Sequence, residues 1–283
     1  MSNILITSTN RVDDATSITA DDEVAGLPIP NVQDRQITKV FRNTQNTAQI
    51  DVNFGQGRVI DVVAVIRHNM TQTSKIRVRL STVSDFSTTV YDSGTVNAWP
   101  VVEEFGALPW GVFNWGGFIS TTEAVDYTIS SFALPTTSVV AQYLRIDLTD
   151  TDSTDGYIQV GRIIAAPAYR PSINMAFGVE FEFVDESRVT KSRGGQTFID
   201  EVERFRRMRF ELLNIPENEI FSNVFNSIDR RRGIVEDLLV IPQPDDNTTW
   251  ITQNIYGRLT STNPITNTQL ERYGRLIEIE ELI

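Results

Sequence analysis

The 283-residue chain has no cysteine, which excludes a disulfide framework, a thiol nucleophile and any thiolate metal site. It has a single histidine, His68, so serine-type triads, paired-imidazole acid–base chemistry and histidine-rich zinc sites all lack their usual parts. No apolar run approaches the roughly 20 residues that a bilayer-crossing helix needs, so no membrane span is expected. The opening residues, MSNILITSTNRVDD, lack a basic stretch followed by an apolar one, so no secretory signal is expected either. These absences fit synthesis and folding in a cytoplasm. Positive charge is also short: 25 Lys and Arg against 37 Asp and Glu give a net charge of −12. General nucleic-acid binding needs a positive field and is not expected. No repeat of solenoid or propeller length is visible.

What is present reads as globular, with 40% hydrophobic and 22% charged residues and enough length for two domains with real cores. The first domain is placed at 1–168 and the second at 169–283, where the composition changes near Tyr169-Arg170-Pro171. ILITS at 4–8 suits an edge strand. KVFR (39–42) and QIDVN (49–53) read as the first paired strands, with Ile50, Val52 and Phe54 on one face. Gly55-Gln56-Gly57 reads as a turn, and VIDVVAVI (59–66) as a central strand buried on both sides. KIRVRLS turns Ile76, Val78 and Leu80 inward and Lys75, Arg77 and Arg79 outward, and TVYD follows. After an irregular stretch the pattern resumes, with Leu144, Ile146 and Leu148 inward and then YIQVGRIIA.

In the second half, FGVEFEFVDES and EVERFRRMRFELL read as a β-hairpin bent at KSRGGQT, with Gly194-Gly195 at the turn. A helix is predicted from about Pro216 to Arg232, with an apolar stripe of Ile220, Phe221, Val224, Phe225 and Ile228 and Gly233 as its stop. Strands are expected at 235–241, 250–260 and 275–282.

Four groups of residues invite a functional reading. The stretch 99–118 gathers Trp99, Trp110, Phe113 and Trp115 among glycines and prolines. Such aromatics plug the end of a sandwich, fill a pocket in a partner protein, or stack on a sugar ring. Arg204, Arg206, Arg207 and Arg209 form a basic cluster that suits pairing with carboxylates across an assembly interface. Asp147, Asp150, Asp152 and Asp155 look like a calcium loop. Counted from Asp150, however, the sixth position is Asp155 and the twelfth is Gly161, where that loop needs Gly and Glu. A polar hairpin turn is the simpler reading. Glu103-Glu104 could serve a glycosidase only at a defined separation across a sugar, and adjacent carboxylates in a loop are ordinarily just solvated. His68, beside Arg67 and Asn69, reads as structural. No catalytic residue, metal site or cofactor is expected.

The split pattern at 49–94 and 142–165 resembles the discoidin-like (galactose-binding-like) jelly-roll sandwich over roughly 35–166, a fold that binds more often than it catalyses. Residues 170–283, with RGGQ, RFRRMRFELL, a helix after Pro216, VIPQPDD and the pair IYGRLTSTNPI and RYGRLIEIEEL, resemble tail-tip proteins of long-tailed phages. The fold class expected is therefore mainly β: a sandwich followed by a smaller β-rich domain with one helix. The resemblance implies a distal tail or baseplate protein of the virion, assembled in the host cytoplasm as a hexameric or trimeric ring of itself. Tail-tube, tape-measure and tail-hub proteins would be its neighbours and a host-surface glycan a further partner. The alternative is a non-catalytic carbohydrate-binding protein.

Overall fold

The computed structural model describes residues 2–7, 9–102, 117–119 and 127–283. The chain is mainly β, and it divides into two compact units, one of residues 1–170 with 240–254 and one of residues 171–239 with 255–283. The chain thus returns to the first unit after leaving it, which a single boundary near 168 does not anticipate.

The first unit is a sandwich of antiparallel sheets. In one sheet β2 (Ser17–Ala20) pairs with β4 (Thr47–Ile60), then follow β10 (Val139–Thr149), β6 (Lys75–Ser81) and β7 (Thr89–Asp92), with β8 (Val96–Asn97) also on β6. In the other, β3 (Phe41–Arg42), β11 (Gln159–Ala166), β5 (Val62–His68) and β9 (Ser130–Ala133) lie in that order. The period-two pattern dictates the core. Ile50, Val52, Phe54, Ile76, Val78, Leu80, Leu144, Ile146 and Leu148 from the first sheet meet Phe41, Val63, Val65, Val160, Ile163 and Ala165 from the second. Each Val, Leu, Ile or Phe among them contributes about 1.5–3 kcal/mol relative to exposure. The outward residues of the larger sheet form ion pairs: Arg145 with Asp51 and Arg79 with Asp147, both at 2.6 Å, and Arg77 with Asp92 at 2.6 Å. Arg145 also lies 4.4 Å over the Phe86 ring.

Four expectations for this unit are corrected. The strand expected at 4–8 is not an edge where it is described: β1 (Leu5–Thr7) is buried and pairs antiparallel with β12 (Ala168–Tyr169) on one side. On the other it pairs with Val240–Ile241, the end of β17 (Asp237–Ile241). KVFR and QIDVN belong to different sheets, Phe41 pairing with Val160 and Ile50 with Ile146. Gly55-Gln56-Gly57 is no turn, because β4 runs through it and absorbs the irregularity at a bulge opposite Ala141 and Tyr143. Gly55 takes φ +76 there, a left-handed backbone that suits glycine. Trp250 opens a short helix, Trp250–Gln253, instead of a strand. The buried strand expected at 59–66 is observed only from Val62, with Val62 through Ile66 all buried in β5, whereas Val59 and Ile60 end β4 in the other sheet and Val59 is 42% exposed.

In the second unit β18 (Ile255–Leu259), β20 (Arg272–Glu281), β16 (Phe205–Pro216) and β13 (Glu180–Val184) lie side by side, with β19 (Thr266–Gln269) also on β20. The hairpin continues beyond β13 and β16 as a separate ribbon of β14 (Arg188–Lys191) and β15 (Thr197–Asp200), turning at Gly195 with φ +83. The helix is corrected in kind. Glu217–Glu219 is one α-turn, and Ile220–Asp229 is a π-helix. Arg230 N–H donates to the Phe225 carbonyl five residues back, and the Asn226 and Ser227 side chains likewise bond to Phe221 and Ser222 carbonyls. Ile220, Val224 and Ile228 are its buried face, while Phe221 stacks edge-on against Tyr273 at 5.2 Å.

Candidate functional site

At one end of the sandwich a cleft of about 1040 Å³ opens between the β7–β8 region, the segment following β9 and the returning segment 244–250. Asp246, outside the lining itself, shapes the segment that carries Asn247 and Trp250 into it. Its Oδ1 accepts from the Thr248 N–H at 3.0 Å and the Thr248 hydroxyl at 2.6 Å, starting the turn Asn247–Thr249 that delivers Trp250. Trp250 is half-buried and sits edge-on to Phe132, ring centres 5.5 Å apart, and its indole N–H donates to the Gln243 carbonyl at 3.2 Å. Ile251, next along, is buried with Trp99, Ile119 and Ile129. Tyr91, Asn97, Arg170, Asp245 and Asn247 add polar groups to the lining, and Pro100, Pro135 and Pro244 stiffen it. Asp245 accepts from the Ser2 backbone and hydroxyl, and that bonding holds its carboxyl below the usual carboxylate range. The lining thus combines aromatic surface with amide, cationic and anionic hydrogen-bonding groups, and among the described residues only Asp245 gives it a carboxylate.

Trp99 reaches this cleft mainly as structure. Its ring is 7% exposed and its indole N–H donates to the Met70 carbonyl at 2.7 Å. Trp110, Phe113, Trp115 and the pair Glu103-Glu104 lie outside the described residues. The aromatics that sequence reasoning missed are Trp250 and Phe132, far apart in the chain and joined only by the fold.

His68 is buried, and burial pushes its imidazole down to about 4. The Ser131 hydroxyl donates to the Ala98 carbonyl at 2.5 Å, so at the 3.0 Å contact His68 Nε2 must be the donor to Ser131 Oγ. Ser131 therefore has no base to receive its proton, and the pair is not a nucleophile–base arrangement. The aspartates are individually engaged. Asp150 accepts from Thr71 N–H and hydroxyl, both at 2.6 Å, Asp152 from Thr73 at 2.6 Å, and Asp155 from Asn69 at 3.1 Å. Among the described residues no group of three His, Cys, Asp or Glu could hold a metal ion.

The arginine cluster in the second unit meets carboxylates of its own chain. Arg206 is 6% exposed and bonded to Glu281 through its backbone N–H and a bidentate Nε and Nη2 fork, so its side chain has little surface to give a partner. Arg207 contacts Glu182, Glu278 and Glu280, Arg209 contacts Glu180, and Arg204 contacts Asp185. Arg204 and Arg209 keep half or more of their side-chain surface exposed.

No family model matches the chain, and no curated protein matches its sequence. Among solved structures, chitosan-binding module 1 from a chitosanase/glucanase of Paenibacillus sp. IK-5 is similar at 17% identity and a TM-score of 0.36, covering 56% of this chain and 99% of that module. The lectin domain of lectinolysin complexed with Lewis B antigen is similar at 11% identity and 0.37, covering 58% and 99%. A GH29 fucosidase of Ruminococcus gnavus, in complex with fucose, is similar at 13% identity and 0.39, covering 57% of this chain and 27% of the fucosidase.

Proposed function

We propose that the first unit is a non-catalytic binding module that takes a saccharide in the cleft beside Trp250. The observation that carries this is the pairing of a half-buried Trp250–Phe132 corner with Asn97, Asn247, Arg170 and Asp245 around one opening. Sugars present apolar ring faces and hydroxyl edges together, and a site for them needs aromatic surface bordered by amide and charged hydrogen-bonding groups. The sequestered His68, and Asp245 as the one carboxylate among the described residues of the cleft, support binding over turnover. A glycan array on the whole chain, followed by calorimetry with the tightest binder, tests it. Trp250→Ala is expected to weaken that binding by about tenfold or more, the scale of roughly 1.4 kcal/mol, and Phe132→Ala to act in the same direction. A blank array, or affinity indifferent to both changes, would sink the reading.

A second reading is favoured by a separate observation. Large apolar side chains crowd the exposed surface of residues 177–202, with Phe177, Val189, Phe198 and Ile199 each more than half exposed. That pattern suits a chain that functions among copies of itself or other proteins, as in the phage tail-tip assembly that residues 170–283 resemble. In this reading the protein is a virion component of a distal tail or baseplate ring. Electron microscopy of the purified protein checks it: rings are expected, and particles that stay single at high concentration count against it.

A further inference from the structure

Among the elements of the second unit that expose apolar side chains, the ribbon of β14 and β15 is the one left bare along its whole length. Every residue of β14 and β15 is exposed, and a two-stranded ribbon with no covered face is marginally stable in water. Its register sets Val189 opposite Ile199 on one face and Thr190 opposite Phe198 on the other. Val189 is 61%, Ile199 68% and Phe198 54% exposed, so both faces are apolar in part. The ribbon and its turn are also basic, with Arg188, Lys191 and Arg193 against one carboxylate, Asp200 opposite Arg188. The whole chain carries a net charge of −12.

We infer that the β14–β15 ribbon docks on a second copy of this chain. The charge contrast selects that occupant, because a basic apolar ribbon is attracted to the acidic remainder of an identical molecule. It also selects the geometry. Two ribbons laid on each other would oppose Arg188, Lys191 and Arg193 to themselves, so the ribbon seats on a different surface of its neighbour. Such a contact is heterologous and propagates head to tail until it closes. This inference rests on the assembly reading and is independent of the saccharide reading.

Sedimentation velocity of the full chain over a wide concentration range, at low and high salt, tests it. The wild type is expected to self-associate and to do so less at high salt. Phe198→Glu with Ile199→Glu is expected to weaken association by roughly thirtyfold or more, the scale of losing a central apolar anchor. Replacing Arg188, Lys191 and Arg193 together by Glu is expected to weaken it too, and Leu270→Ser, an exposed apolar residue outside the ribbon, to leave it unchanged. All these positions are exposed, and thermal melting verifies that the variants fold. If the wild type associates and both ribbon variants associate equally well, the ribbon contact is overturned while assembly stands. A wild type that stays monomeric at every concentration and salt overturns both.

Discussion

The larger sheet of the sandwich and the sheet of the second unit place the same chemistry at different depths. In the sandwich, arginine meets aspartate on the outer face of the larger sheet, with Arg145 and Asp51 keeping 22% and 33% of their side-chain surface. In the second unit a comparable outer ladder joins Arg209 to Glu180 and Arg207 to both Glu182 and Glu280. One rung there, Arg206 with Glu281, has gone to the buried side, with only 7% and 4% of its side chains exposed. The apolar residues are displaced in the opposite sense. The sandwich buries almost every alternate strand residue and also encloses Arg162, paired with Asp13, whereas the second unit leaves Phe181, Phe183, Phe198 and Ile199 exposed beside its own enclosed ion pair. Alternation along a strand therefore marks two faces without saying which is covered. A unit that exposes its apolar face in one element and buries an ion pair in another is specified by more than its own core.

The largest expected effect breaks that contrast directly. Arg206→Ala leaves Glu281 as an uncompensated buried charge and is expected to destabilise the second unit by about 3–5 kcal/mol. Arg145→Ala, at the half-exposed pair in the sandwich, should cost at most about 1 kcal/mol. Replacing Arg206 and Glu281 together by Met should restore most of the loss. Urea unfolding of the three variants measures this, and equal costs for Arg206→Ala and Arg145→Ala would erase the distinction in depth. A slightly smaller contrast concerns apolar groups. Leu144→Ala in the sandwich core is expected to cost about 2–5 kcal/mol, and Phe198→Ala in the ribbon to stay within about 0.5 kcal/mol of wild type. A large loss for Phe198→Ala at concentrations where the chain is monomeric would mean that the ribbon packs within its own unit.

These contrasts also explain how far the sequence could be read. Ile76, Val78 and Leu80, like Leu144, Ile146 and Leu148, are legible as inward residues because β6 and β10 are covered on one face and solvated on the other, which writes period two into the chain. The bulge in β4 is not, since Gly55-Gln56-Gly57 satisfies the residue preferences of a turn as well as those of a kinked strand. The helix stripe was visible but its type was not. Ile220, Val224 and Ile228 recur every fourth residue, a spacing that a 3.6-residue and a wider π-turn serve about equally. The cleft was legible only in part. Trp99 lies in an obvious aromatic stretch, yet Trp250 reaches it only because residues 240–254 return to the sandwich, and no local pattern encodes a return across that separation.

Acid should separate the two units further, through one buried group in each. His68 in the sandwich is held down to about 4 by burial, against an ordinary value near 6.5. Below that ordinary value the unfolded chain takes a proton at this site that the folded chain refuses until about pH 4. Stability is therefore fully present above 6.5 and withdrawn as pH falls through the window, by up to about 3 kcal/mol at 1.36 kcal/mol per pH unit. Asp229 in the second unit runs the other way: burial raises its carboxyl despite the Arg275 bond. A raised carboxyl in the folded state favours folding at low pH, and that contribution is lost as pH rises through the folded value. Falling pH should thus loosen the sandwich before the second unit, beginning where β5 and β9 meet at His68 and Ser131. Hydrogen exchange read peptide by peptide between pH 7 and 4, corrected for intrinsic rates, should show earlier deprotection in residues 62–68 and 130–133 than in 272–281. His68→Gln, which cannot take up the proton, should flatten the sandwich response. An unchanged profile in that variant would move the acid sensitivity to the carboxylates.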